Sequence, residues 1–99
     1  MAVYVDHARI EWRGRLWCHL VADDLEELHH FAQRLSLPRS WFHRRASLPH
    51  YDVTTCARVQ ALRAGALPVT SREIVLRGRR SRLNLSMRIA TAQSQHALF

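Results

Sequence analysis

Histidines and aspartates recur in this chain where short apolar runs begin or end. Asp6 follows Val3-Tyr4-Val5, His19 and Asp23 bracket Leu20-Val21-Ala22, and His50 and Asp52 flank Tyr51. Imidazole together with carboxylate suits a divalent metal such as zinc or manganese, and carboxylates alone suit magnesium. Arg58 beside such a set can clamp a phosphate with two parallel hydrogen bonds. If these groups converge, metal-assisted hydrolysis of a phosphoester, or binding of a phosphorylated or nucleotide-like ligand, is the chemistry they fit. On that reading His19, His50, Asp52 and Asp6 are the catalytic candidates. Arg58, Trp41, Tyr51 and Glu27 would contact the ligand, and Asp23 and His29 would complete a metal shell.

Each residue also has a structural reading. Asp23 suits a helix N-cap, Glu27 the reciprocal position of a capping box, and Thr54 or Asp52 a second cap. His19 in an apolar strand is more often a hydrogen-bonded core histidine than a ligand, and Trp41 and Tyr51 are more often packing residues. The combination is what counts, because several histidines and acids at such junctions exceed what capping requires. No His-x-x-x-His with a third ligand, no glycine-rich phosphate loop and no serine-nucleophile elbow accompanies them.

The elements that must position these groups follow from periodicity. Ala2 to Asp6 alternates with a β-branched bias and predicts a strand. His7 to Gly14 reads as a polar loop, and Leu16 to Ala22 as a second strand apolar on both faces. Asp23 or Asp24 then starts a helix whose stripe is Leu25, Leu28, Phe31, Ala32 and Leu35, with His29 on its border and Leu37-Pro38 ending it. His50 to Val53 leads into a helix from about Thr55 to Ala64, closed by Gly65. Ala66 to Val69 reads as an edge strand, and Thr70-Ser71-Arg72-Glu73 as a capping box opening a short helix to about Arg77. Strand and helix alternate, which predicts a small single-domain α/β layer structure with a mostly parallel short sheet and three helices. Asp6, Asp23 and Asp52 would then share the carboxyl edge of that sheet, where ligands bind. The domain would span residues 1–78, with 79–99 a basic, partly ordered extension.

Ninety-nine residues allow one core. No apolar run approaches a membrane span and no secretory signal opens the chain, so a cytoplasmic protein without membrane partners is expected. Cys18 and Cys56 have no metal or redox spacing. The net charge is +7, carried by fifteen arginines and no lysine. Residues 1–52 hold seven arginines and seven acids, whereas residues 53–99 hold eight arginines and one acid, Glu73. That asymmetry supports an alternative function, nucleic-acid binding or a phage accessory role through Arg77, Arg79, Arg80 and Arg82.

Several of these pieces together resemble a known family. Tyr4-Val5-Asp6, Trp17-x-His19-Leu20, Ala22-Asp23, Glu27-Leu28-His29, Phe31-Ala32, Trp41-Phe42 and His50-Tyr51-Asp52, with Arg58 and Gly65-Ala66, are similar to the bacterial and phage family called domain of unknown function 4031. The resemblance covers about residues 2–76. It implies element boundaries and marks positions, and it brings no activity with it. Where that family often shows Asp-Asp after Tyr-Val, this chain has Asp6-His7.

Overall fold

The computed structural model describes residues 2–44 and 48–81. Among these residues six strands form one mixed sheet: β1 (Val3–Val5), β2 (Ile10–Trp12), β3 (Arg15–Ala22), β4 (Phe42–His43), β5 (His50–Thr54) and β6 (Leu67–Pro68). Three helices accompany it among these residues: α1 (Leu25–Arg34), α2 (Thr55–Arg63) and α3, which starts at residue 71 and is still helical at 81, the last described residue. A 3-10 turn, Arg39–Trp41, precedes β4.

The α/β layer is present, but the sheet is mostly antiparallel rather than mostly parallel. The path is β4-β5-β3-β1-β6, with β2 also on β3. β1–β3, β2–β3, β3–β5 and β4–β5 are antiparallel, and β1–β6 is parallel. Two hairpins explain the difference. The expected loop His7–Gly14 contains β2, which reverses into β3 through Arg13-Gly14, both at positive φ (50° and 74°). A two-residue turn with both φ positive has the twist that antiparallel strands need. After α1, β4 runs in the direction of β3, but β5 folds back against it and inserts between the two. A strand–helix–strand pattern therefore does not end in a parallel neighbour.

Strand alternation divides the sheet into two faces. Val3, Val5, Cys18, Leu20, Ala22, Tyr51 and Val53 point toward α1 and α2 and pack with Leu28, Phe31, Ala32, Ala57 and Ala61. Asp24 caps α1 by accepting the Glu26 N–H (3.1 Å), and Thr54 caps α2 by accepting the Ala57 N–H (3.2 Å). On the other face Tyr4 and Val21 pack under Ile74 of α3. The register places Trp17, His19, His43, His50 and Asp52 on this second face too, beyond the apolar patch that α3 covers.

The helix expected to end near Arg77 runs on to residue 81. Glycine inside a helix costs roughly 1 kcal/mol against alanine, and Gly78 has a packing reason to be there. A Cβ at that position would lie 3.1 Å from Leu48 Cβ. Residues 82–99, which include Arg82 and most of the expected extension, lie outside the described residues. Among the described residues no helix is long and apolar enough to cross a membrane.

Candidate functional site

β1 and β2 occupy the same edge of β3 in succession, β1 against Leu20–Ala22 and β2 against Arg15–Trp17. His19 sits at the gap between them, opposite Asp6. The Asp6 N–H donates to the His19 carbonyl at 3.1 Å. An ordinary antiparallel pair would return the bond from the His19 N–H to the Asp6 carbonyl. Here that carbonyl accepts instead from Arg58 Nε on α2, at 2.7 Å. The Asp6 carboxylate takes over: Oδ1 accepts the His19 N–H at 2.8 Å and the Ala8 N–H at 3.2 Å. Oδ2 accepts from His19 Nδ1 at 2.8 Å. The break in the ladder thus turns a fully buried carboxylate into the clamp that fixes the imidazole.

The opposite edge of β3 completes the cluster. β5 pairs Asp52 with His19, and two residues earlier His50 lies on the same face, paired with His43 of β4. His50 Nδ1 is 2.6 Å from the Leu48 carbonyl, which can only accept, so Nδ1 carries the proton. The Asp6 carboxylate fixes the proton of His19 on Nδ1 by the same logic. Each ring therefore presents Nε2 to one oxygen, Asp52 Oδ1, at 3.2 Å from His50 and 3.9 Å from His19. Asp52 Oδ2 pairs with His43 Nε2 at 2.8 Å, and the His43 and His50 rings stack with centroids 5.1 Å apart.

In the neutral rings both Nε2 atoms aim lone pairs at a carboxylate. Either a second proton on a ring or a shared cation relieves that repulsion. The ligand atoms of His19, His50 and Asp52 lie within 4.8 Å of one another. Bonds to zinc of about 2.0–2.2 Å bring tetrahedral ligands to roughly 3.4 Å apart, so a modest contraction would close the set. Two histidines and a carboxylate, each histidine with its outer nitrogen anchored, is a donor set that holds zinc or a similar divalent ion with positions left for water.

Electrostatics couple the first pair. The hydrogen bond to Asp6 raises the pKa of His19; burial opposes it, and the charges of Asp6 and Asp52 add to it. Burial alone would raise the Asp6 carboxyl, but the His19 ring, the His19 and Ala8 N–H groups and the His19 charge together hold it below its ordinary value.

A cavity of about 260 Å³ opens above this cluster, lined by Ile10, Trp12, Trp17, His19, His43 and Asp52. Three of these were not singled out from the sequence. His43 lies in a stretch that periodicity did not assign. Ile10 and Trp12 lie in the segment read as loop, although Ile10-Glu11-Trp12 mirrors Arg15-Leu16-Trp17 across Arg13-Gly14. Trp17 was placed in a strand, on the face of His19, without a ligand role.

Of the expected site residues, His19, His50, Asp52 and Asp6 come together, with Arg58 behind Asp6. The others are placed elsewhere. Asp23 lies past the far end of β3, where its carboxylate accepts from the Tyr4 hydroxyl (3.0 Å) and the Ala2 N–H (3.1 Å). His29 and Tyr51 sit on the opposite face, joined Nδ1 to hydroxyl at 2.9 Å, with Phe42 against the His29 ring. Burial lowers the pKa of His29, helped by Arg39 and His30; burial raises that of Tyr51, with Arg39 opposing. Glu27 is half-buried on α1, with Oε2 lacking a hydrogen-bond partner. Trp41 packs edge-on against Trp17, centroids 5.2 Å apart. In an antiparallel sheet the carboxyl ends of β1 and β3 lie at opposite edges, so Asp6 and Asp23 cannot share one.

The family described as "protein of unknown function (DUF4031)" matches residues 3–81. No curated protein and no solved structure matches the chain.

Proposed function

The chain belongs to the DUF4031 family, and we propose that His19, His50 and Asp52 bind a divalent metal at a hydrolytic site for a phosphorylated, nucleotide-like molecule. The observation that carries this reading is the pair of anchored histidines whose Nε2 atoms converge on one carboxylate oxygen. A divalent ion there would supply a polarised water as nucleophile and a Lewis acid for a phosphoryl oxygen. Asp6 is a positioning residue that sets the tautomer of His19. His43, hydrogen-bonded to Asp52 Oδ2 and half-exposed at the cavity, is placed to accept or return a proton. Arg58 braces Asp6 through its carbonyl. The chain's net positive charge favours anionic substrates.

The test is metal content followed by affinity. Purified full-length protein, stripped and titrated with zinc or manganese, should bind one ion per chain. His50→Ala and Asp52→Asn should each weaken that binding by a hundredfold or more while the fold, monitored by circular dichroism, persists. Hydrolysis of 4-nitrophenyl phosphate should follow metal occupancy. Full zinc affinity in both variants would remove the proposal.

A second reading draws on α3. Arg72, Arg79 and Arg80 are exposed there, and Arg77 and Arg80 border a shallow cavity with Glu73 and Leu76. Nucleic-acid binding through this helix would weaken steeply with salt, and Arg79→Ala/Arg80→Ala would lower the slope by about two phosphate contacts. An unchanged slope would leave the arginines as a solvated face.

A further inference from the structure

We propose that Trp12 and Trp17, with Ile10, form a ring-binding subsite, so that the ligand of this site carries a flat aromatic or heteroaromatic ring. The proposal rests on the metal reading for what occupies the floor of the cavity, but its own observations lie in the β2–β3 hairpin. Ile10 and Trp12 leave 53% and 57% of their surface exposed, directly beside the polar cluster. Cross-strand register puts Ile10, Trp12 and Trp17 on the face that carries His19. These three side chains share one cavity with His19, His43 and Asp52. One wall is therefore apolar and aromatic, and the other can bind metal or donate hydrogen bonds.

The aromatic wall is built rather than floppy. Trp17 Nε1–H donates to the Trp12 carbonyl at 3.0 Å, and Trp41 meets the Trp17 ring edge-on at 88°. Trp12 stands at 65° to Trp17, centroids 6.4 Å apart, which makes a corner. The Arg13 guanidinium lies 4.4 Å from the Trp12 ring centroid and covers one of its faces. A flat ring entering the corner can stack on one indole and meet the other at its edge, the two geometries that aromatic pairs favour. Because the Trp17 indole is already held, little of its conformational entropy is lost on binding. At about 260 Å³ the cavity falls below the ~300–1,000 Å³ of sites for larger ligands. It suits one ring or two fused rings, with a polar group directed at Asp52 and the histidines. With a phosphate at the metal, the ligand is an aryl or nucleoside monophosphate rather than an alkyl or sugar phosphate.

The test compares phenyl phosphate, adenosine 5′-monophosphate and ribose 5-phosphate, by equilibrium dialysis against the metal-free full-length chain and again with zinc. At least one ring-bearing probe should bind tenfold or more tighter than ribose 5-phosphate in both states, and which one prefers the site separates a monocyclic from a purine ligand. Trp12→Ala should weaken that probe by about ten- to a hundredfold, Trp12→Phe should retain most of the affinity, and zinc binding should be unchanged in both. Equal binding of all three probes, or equal losses for all three in Trp12→Ala, overturns the subsite. So does a dimer of the wild type that Trp12→Ala dissociates, because the hairpin would then be covered by a second copy. If zinc binds with no preference for a ring, the subsite alone fails. If the ring preference holds and zinc does not bind, the metal site alone fails.

Discussion

Replacing Asp6 by asparagine tests the link between the interrupted ladder and the chemistry of the cluster. The side chain is buried and its carboxylate accepts three hydrogen bonds, two at Oδ1 and one at Oδ2. Asparagine keeps the shape, and its carbonyl oxygen can still accept from the His19 and Ala8 N–H groups. Its amide nitrogen then faces His19 Nδ1 and can only donate. The proton of His19 must move to Nε2, where it points at Asp52 and blocks the lone pair that a metal would use. Losing a charge-assisted bond should cost the metal-free protein about 1.5–3 kcal/mol, which urea unfolding measures. Changes to an outer partner of a metal-bound histidine lower affinity by about 10–100-fold, and a forced change of tautomer belongs at the upper end. Nitrogen-15 shifts of the His19 ring report the tautomer, and competition with a chromophoric chelator reports zinc affinity. Zinc affinity within about twofold of wild type, with His19 still protonated on Nδ1, would refute the assigned role of Asp6.

The same pair sets a pH dependence with a definite sign. The raised pKa of His19 gives stability that is complete below the ordinary imidazole value of about 6.5 and is lost as pH rises through the folded value. The lowered pKa of Asp6 gives stability present above about 3.9 and lost as pH falls through its folded value. The metal-free wild type should therefore exceed His19→Gln in stability most between those limits, and the difference should shrink toward pH 8; a difference that grows would contradict the assignment. Zinc, which needs Nε2 unprotonated, should raise the Tm more at pH 8 than at pH 6. Gly78→Ala tests whether α3 supports the site, since its methyl would press on Leu48, whose carbonyl holds His50. Helix propensity gains up to about 1 kcal/mol, offset by the displaced leucine, so the Tm should move by a few degrees at most while zinc affinity falls severalfold. A loss of stability with zinc affinity untouched would separate Leu48 from the site.

Local signals in the sequence identified what local physics controls. The caps at Asp24, Thr54 and Thr70, the stripe of α1 and the glycine after α2 occur close to where residue type and spacing place them. Strand direction was not legible, because it depends on two hairpins. One is hidden in a stretch whose arginines and glutamate suggest a loop. The other begins with a two-residue strand, too short for periodicity to register. That error changes which residues meet. A parallel sheet would gather strand ends, Asp6, Asp23 and Asp52 among them. The antiparallel sheet instead gathers a row across its middle, Asp6–His19–Asp52, and adds the His43–His50 pair one step along. Asp52 is thus a mid-strand residue facing His19, although in the sequence it looked like a strand end before a helix cap. Alternation then sorts Tyr51 to the far face, although it stands between His50 and Asp52 along the chain, and His29 of α1 meets it there. Asp23 is parted from Asp6 and Asp52 because their meeting required parallel strands, whereas Tyr51 and His29 are parted from the cluster by the face they occupy.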